Sequence, residues 1–468
     1  MRQKGQGTKL SRRVLAAVLA AIAWACAYPP LDGNLLLIVF AFPLLLFSID
    51  GSSVRECLAL SMLFSVLGLG MGCHWLYNVF GLQGMALVPL VSINLLIFAL
   101  GARLILTQVQ CWRFAEVSAW WTAVEFFRSE LAPLSNASMT FGESVPTGVL
   151  LQVARHVGVY GLSFLVALSG ALVYRIYCYY REGKDWRRAV VLPILLFLLW
   201  PLWGSLASQD TKGHGSVACL AVQAEDLGLE DWISSSESAL AEHPDARVVL
   251  WPEWALREPF FLEDEKLRER LSSFASKNSV YLVFGNKRRA EGGGFYNTAF
   301  VLGPSGELLG YSGKSRPVPF MNDGKPTADP NLVTTPFAEL ALPICYDVDF
   351  SLVVRNLAKR GAELFFVPTG SRLEWGWAQH MQRVGLLRLR AVETARFFFR
   401  VNCSGPSLVI APDGTQREGL FSSGKGYVYG EVEILQGETV YVKWGYCFAP
   451  LCTFVSFIAI FAAWRSRI

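Results

Sequence analysis

Apolar residues gather in long runs before about residue 208 and again after about residue 443, whereas the stretch between alternates short apolar runs with segments of ordinary charge density. Two solvents are implied. A bilayer core of ~30 Å takes ~20 mostly apolar helical residues, and spans of that kind are predicted at 12–28, 33–49, 57–79, 84–106, 112–130, 156–178, 189–207 and 444–464. The fifth holds Glu116, Glu125 and Arg128. Charges at membrane depth are costly and face a bundle interior, so Glu125 and Arg128, at helical spacing, form either an interhelical clamp or part of a lipid-handling groove.

Between the spans, "SVACLAVQA", "ARVVLWPE" and "VYLVFGNKR" read as strands, with "DWISSSESALAEH" and "EDEKLRERLSSFASKNS" as the helices separating them. "FYNTAFVLGP" and "LLGYSGK" read as a hairpin. Further strands are expected at "ELALPICYD", "AELFFVPTG", "FFFRVNCSG" and "SLVIAPDG", and helices at "SLVVRNLAKRG" and "WAQHMQRVGLLRLRAVETAR". Such alternation predicts sheets covered by helices, an α/β layered domain. The expected organisation is a multi-pass α-helical membrane bundle of about seven spans (1–207), the α/β domain (208–443), and a last span with a short tail (444–468).

Composition agrees: 53% hydrophobic and 17% charged residues, with a mean hydropathy of +0.35, lie outside the range of soluble domains. The net charge of +4 comes from basic clusters at span ends. Arg2, Lys4, Lys9, Arg12 and Arg13 precede the first span, Arg181, Lys184, Arg187 and Arg188 separate the sixth from the seventh, and Arg465 and Arg467 follow the last. With eight spans all three clusters fall on one side, the cytoplasmic one, which puts 208–443 on the outer face. A charge so explained implies no nucleic-acid partner. "ACA" (Ala25–Ala27) resembles a signal-peptide cleavage site, yet the segment also serves as an uncleaved first helix, and both versions leave residue 28 outside. Of ten cysteines only Cys219, Cys345 and Cys403 fall in the outer domain, none in a C-x-x-C pair, so neither a zinc site nor a disulfide framework is expected. An odd count in an oxidising compartment leaves a free thiol. Cys345 is the candidate.

Active groups in layered α/β folds cluster where strands end. "VVLWPEW" ends at Glu253, "LLGYSGKSRPVPF" places Lys314 just after a strand, and "ALPICYD" ends at Cys345. A carboxylate can take the thiol proton and return a proton to a leaving group. An ammonium lowers the thiol pKa and, with the backbone N–H of Tyr346, stabilises a developing oxyanion. Taken singly, each residue also fits a solvated edge charge or a core cysteine; the combination points to nucleophilic catalysis.

These three residues resemble the Glu-Lys-Cys triad of the nitrilase superfamily, and the multi-span frame is similar to that of the bacterial apolipoprotein N-acyltransferases. "WTAVEFFR", "GVYGLSFLVAL", "VQAEDLGLEDW" and "QHMQRVGLLRLRAVETARFFFRVNCSG" carry the resemblance over nearly the whole chain. It implies an α-β-β-α sandwich, residence in the bacterial inner membrane with the catalytic domain facing the periplasm, and neither cofactor nor metal. It also implies a two-step transfer. Cys345 takes an acyl chain from a phospholipid, typically phosphatidylethanolamine, and the thioester then passes it to the α-amine of S-diacylglyceryl cysteine in an apolipoprotein. Glu253 acts as base and acid, and Lys314 stabilises the tetrahedral intermediates. Trp232 falls where the family has a tryptophan associated with substrate, although a packed aromatic under a loop reads equally well.

The chain departs from the family at three places. Met321-Asn322 stands where a Gly-Glu pair follows Pro-Phe, which leaves Asp323 to support Lys314; Asp347 replaces a glutamate two residues after the cysteine; and "TGSRLEWGWAQH" replaces an asparagine and Trp-Phe-Gly, with Trp375 and Trp377 as candidate substitutes. Aromatic loops at 254–261 and 372–377 suit either the membrane interface or a core. Two rival readings remain: a membrane-tethered amidase, with water as acceptor, and a transporter or scaffold with an outer binding domain.

Overall fold

The computed structural model describes residues 2–31, 34–108, 112–132, 134–207, 212–328, 330–421 and 424–465. The chain divides into two compact units, one of Met1–Ser208, Glu374–Gly385 and Trp444–Ile468, the other of Gln209–Leu373 and Leu386–Lys443. The boundary expected at 208, Cys111 and Arg467 lie outside the described residues.

The first unit contains α1 (Arg2–Cys26), α2 (Asn34–Ile49), α3 (Val54–Gly72), α4 (Trp75–Phe80), α5 (Leu82–Leu106), α6 (Arg113–Phe126), α7 (Ala154–Arg181), α8 (Trp186–Ala207) and a helix at Phe448–Arg465. Among the described residues, five helices are long and apolar enough to cross a membrane: α3, α5, Leu151–Arg181, α8 and Phe448–Arg465. The apolar α2 has 16 residues. The span expected over 57–79 is divided. Helix α3 ends where the Cys73 N–H closes on the Leu69 carbonyl, and α4 restarts at Trp75. Glycines at 68, 70 and 72 weaken the helix there, a property that hydropathy does not register.

The charges of the fifth span act locally. Helix α6 runs on into a π-turn at Phe127–Leu131. Glu125 Oε1 accepts from the Phe141 N–H at 2.8 Å, and Arg128 Nη2 donates to the Ser138 carbonyl at 3.1 Å. Each charge therefore grips the backbone of one loop instead of the other charge, and the interhelical clamp expected from their spacing is replaced by a loop clamp. A buried loop needs such partners because its backbone polar groups have no water.

The second unit is a sandwich of two six-stranded mixed sheets. Its strands are β1 (Lys212–Gln223), β2 (Val248–Leu250), β3 (Tyr281–Arg289), β4 (Phe295–Leu302), β5 (Leu308–Gly313), β6 (Leu332–Thr334), β7 (Glu339–Ala341), β8 (Leu364–Thr369), β9 (Phe398–Asn402), β10 (Ser407–Ile410), β11 (Gln416–Leu420) and β12 (Gly426–Gln436). The orders are β12-β1-β2-β3-β4-β5 and β11-β10-β9-β8-β7-β6. Strands β1, β2 and β3 are parallel, joined through α9 (Leu229–Glu242) and α10 (Glu265–Asn278). Strands β7, β8 and β9 are parallel, joined through α11 (Ser351–Lys359) and α12 (Trp377–Thr394).

Period-two alternation sorts side chains between two cores. Val248 and Leu250 join Val283, Leu340, Phe366 and Phe399 in a cluster drawn from both sheets. Val249 and Trp251 face the other way, onto Trp232, Leu271 and Phe274 of α9 and α10. The α/β sandwich and its central strands follow the sequence reading; β6, β11 and β12 were not expected. Strand β12 pairs antiparallel with β1 from Lys212 opposite Gln436 to Gln223 opposite Gly426, and its alternate positions are exposed, so it lacks the continuous apolar run of the central strands.

Candidate active site

Strand β2 delivers Trp251 and Pro252, then Glu253, which is buried. The approach is close: a β-carbon at Gly285 of β3 would lie 2.7 Å from the Glu253 Cα and from the Pro252 carbonyl oxygen. Only glycine fits at 285. Glu253 Oε1 accepts from Lys314 Nζ at 2.8 Å and from Asn297 Nδ2 at 2.7 Å, while Oε2 accepts from the Gly370 N–H at 2.8 Å. Lys314, one residue beyond β5, also pairs with Asp323 Oδ2 at 2.7 Å. Asn297 Nδ2 donates a second bond, 2.8 Å, to Asp323 Oδ1. One buried cation is thus set between two buried carboxylates, with an amide bridging them. Burial alone would push the Lys314 ammonium down, but the Glu253 carboxylate first, and with it Asp323, hold its pKa above the usual lysine range.

Cys345 lies four residues past β7 and starts a 3₁₀ turn, Cys345–Asp349, with φ 48°. That left-handed geometry costs a non-glycine residue about 1–3 kcal/mol and is characteristic of residues held for function. The side chain is half-buried. Burial pushes the thiol up to about 12, Glu253 adds to the rise, and Lys314 and the Gly370 N–H oppose it. The ammonium does lower the thiol pKa as the sequence implies, but desolvation outweighs it. The resting group is a thiol, and it must lose its proton as it attacks.

Asp347 joins the lysine and cysteine segments. Its carboxylate accepts from the N–H groups of Arg316 at 2.7 Å, Ser315 at 3.0 Å and Ile344 at 3.0 Å. Burial raises its pKa to about 6, against the lowering effect of those N–H donors and Lys314. Tyr346 sits on the turn with its ring edge-on to Phe350 at 5.0 Å. Trp232 is 1% exposed, donates Nε1–H to the Ala255 carbonyl at 3.0 Å and lies 5.5 Å from the Trp251 ring. That placement is a packed aromatic supporting the loop after Glu253. In the same loop Phe261 is buried against Phe284 and Phe300, each at 5.0 Å, so it serves the core.

Glu253, Lys314, Asp323 and Cys345 are thus brought together electrostatically, with Asp347 behind them. Sequence reasoning missed Asn297, Gly285 and Gly370. A signal for Asn297 existed: on β4 it shares the inward parity of Ala299 and Val301, both in the inter-sheet core, and a lone amide in such a row needs a partner. Cys403 borders the cavity beside Glu253; its S–H donates to the Ser371 carbonyl at 3.2 Å, and burial pushes it up to about 12, as in an inert thiol. A test follows from the 321–323 segment, where Asn322 is exposed and Asp323 buried. A hydrogen bond to a charged group contributes about 1.5–3 kcal/mol, so Asp323→Ala should slow turnover roughly 10- to 100-fold. Asn322→Ala should change it less than about twofold, a surface effect; steady-state rates of both variants check the ranking.

Two mixed sheets in an α-β-β-α sandwich, with carboxylate, ammonium and thiol supplied from beyond the ends of β2, β5 and β7, define a carbon–nitrogen hydrolase type of domain, here in a membrane protein. The carbon-nitrogen hydrolase family model matches residues 219–435, and the model of the apolipoprotein N-acyltransferase N-terminal domain matches 20–172. The chain belongs to the apolipoprotein N-acyltransferase family. Relatives of that name include one from Geobacter metallireducens, 24% identical over 74% of this chain and 73% of its own length. Another from Pseudomonas paraeruginosa is 24% identical over 87% and 88%, and one from Azotobacter vinelandii 28% identical over 70% and 69%. Among solved structures, Saccharomyces cerevisiae Nit3 matches with TM-score 0.42 and 20% identity over 47% of this chain and 91% of its own. An amidase from Nesterenkonia sp. matches with TM-score 0.41 and 23% identity over 50% and 93%.

Proposed function

We propose that the chain moves an acyl group from a membrane phospholipid, through a thioester on Cys345, to the N-terminal amine of S-diacylglyceryl cysteine in apolipoproteins. The observation that carries this reading is the buried Glu253–Lys314–Asp323 group beside a thiol on a positive-φ turn, in a chain with membrane-length helices. In the first half-reaction Cys345 Sγ attacks the ester carbonyl while Glu253 takes the thiol proton. The carbonyl electron pair moves onto oxygen, where the Lys314 ammonium and the Tyr346 backbone N–H stabilise it. Collapse breaks the ester C–O bond, and Glu253 returns its proton to the departing alkoxide oxygen, which leaves as the lysophospholipid hydroxyl. In the second half-reaction the acceptor amine attacks the thioester and gives a proton to Glu253. Collapse then expels the Cys345 thiolate, which takes that proton.

Donor and acceptor both live in the bilayer, and extracting an acyl chain costs about 0.8 kcal/mol per CH₂. Anchoring the catalyst removes that step. The basic clusters at span ends favour an inner-membrane protein with 208–443 in the periplasm; reporter fusions should read cytoplasmic near 184 and external near 290, and the reverse would remove access to lipoproteins. Incubation with labelled phosphatidylethanolamine and a diacylated peptide bearing a free N-terminal cysteine amine tests the activity. Label should pass to the peptide. Release of free fatty acid at the same rate without peptide would make the protein a hydrolase.

A further inference from the structure

A groove of about 700 Å³ runs between the start of α9, the start of α10 and the loop after Glu253. Asp226, Trp254, Ala255 and Arg257 border both this groove and the small cavity lined by Glu253, so it adjoins the Glu253 side of the site. We infer that it is the acceptor subsite for polypeptide: it seats the residues that follow the acylated cysteine of the incoming lipoprotein. This rests on the functional reading above and adds to it where the chain beyond the reacting amine goes.

Its lining decides the occupant. An acyl chain needs a continuous apolar wall, but here apolar side chains such as Leu227, Leu229, Trp254, Leu256 and Leu267 share the lining with seven charged ones. A lipid phosphate needs a cluster of unpaired cations, and of the three lining cations Arg257 and Arg270 face carboxylates of the groove, leaving the exposed Lys266 alone. Arg270 grips Glu230 at 2.8 Å, Arg257 lies 3.5 Å from Asp226, and Glu258 is held by Lys287 at 2.6 Å. Asp264 caps α10 by accepting from the Leu267 N–H at 2.7 Å. A mixed surface whose charges are mostly paired suits extended chain of varied sequence, each residue advancing about 3.4 Å, and would discriminate little between side chains.

The test compares two synthetic acceptors on the full-length protein: S-diacylglyceryl cysteine amide, and the same residue followed by five uncharged polar residues. The added backbone hydrogen bonds should give the longer acceptor a kcat/KM roughly tenfold higher. Glu230→Trp and Lys266→Trp, both at exposed lining positions, fill the groove. The ratio of kcat/KM between long and short acceptors should fall toward one in at least one of them, a readout that a general loss of active protein leaves unmoved. A wild-type ratio near one, or a ratio kept by both variants, overturns the inference. Failure to acylate either acceptor would overturn the functional reading and this inference with it.

Discussion

Cys345→Ala should lower acyl transfer by at least about three orders of magnitude, because it removes the proposed nucleophile on which the covalent intermediate forms. With phospholipid present and no acceptor, the wild-type protein should accumulate a hydroxylamine-sensitive acyl adduct at this residue, and the variant none. Wild-type activity in Cys345→Ala would return the residue to a structural role. Its environment gives the same prediction a pH dependence. A thiol pushed up to about 12 by burial, with Glu253 adding to the rise, is protonated at neutral pH. Alkylation by iodoacetamide without substrate should therefore be slow at pH 7 and rise about tenfold per pH unit without levelling off below pH 10, whereas an ordinary thiol levels near its pKa of about 8.5. A plateau near pH 7 would mean a resting thiolate stabilised by Lys314, and a different first step.

Much of this was legible in the sequence because parallel βα units write themselves as alternating apolar runs and amphipathic helices. The strands that escaped notice lacked that signature: β6 has three residues, and β11 is exposed at four of its five positions. A larger pattern was also hidden. In one sheet, parallel β1, β2 and β3 are followed by antiparallel β4 and β5; in the other, parallel β7, β8 and β9 are followed by antiparallel β10 and β11, with β12 and β6 antiparallel at corresponding flanks. The sandwich is duplicated in topology, yet no sequence repeat marks it, since packing constrains apolar volume and parity more than identity. The duplication accounts for part of the site. Glu253 follows β2, and Gly370, whose N–H it accepts, follows the corresponding strand β8. Backbone donors such as Gly370 leave no trace in side-chain chemistry, which is why the sequence pointed to Asp323 beside Lys314 but not to the Gly370 N–H beside Glu253.

The supports make Lys314→Met the most informative single change. Lys314 is not simply an oxyanion donor: it is the buried cation shared by Glu253 and Asp323, which Asn297 Nδ2 also links at 2.7 and 2.8 Å. Removing it leaves two carboxylates facing each other out of water. Breaking a buried pair in this way costs about 3–5 kcal/mol, so Lys314→Met should lower Tm by several degrees as well as reduce thioester formation by at least about two to three orders of magnitude. The two losses are separable. Adding Asp323→Asn removes one carboxylate while keeping the volume, and it should recover most of the stability because the remaining acid no longer faces a like charge. It should recover little activity, because the tetrahedral oxyanion still lacks its cation. If the double variant regained both, Lys314 would be a structural counter-ion and the Tyr346 N–H would have to carry the oxyanion alone. If it regained neither, the coupling between Lys314 and Asp323 would be absent in solution, and the 2.7 Å contact would not be what holds the lysine in place.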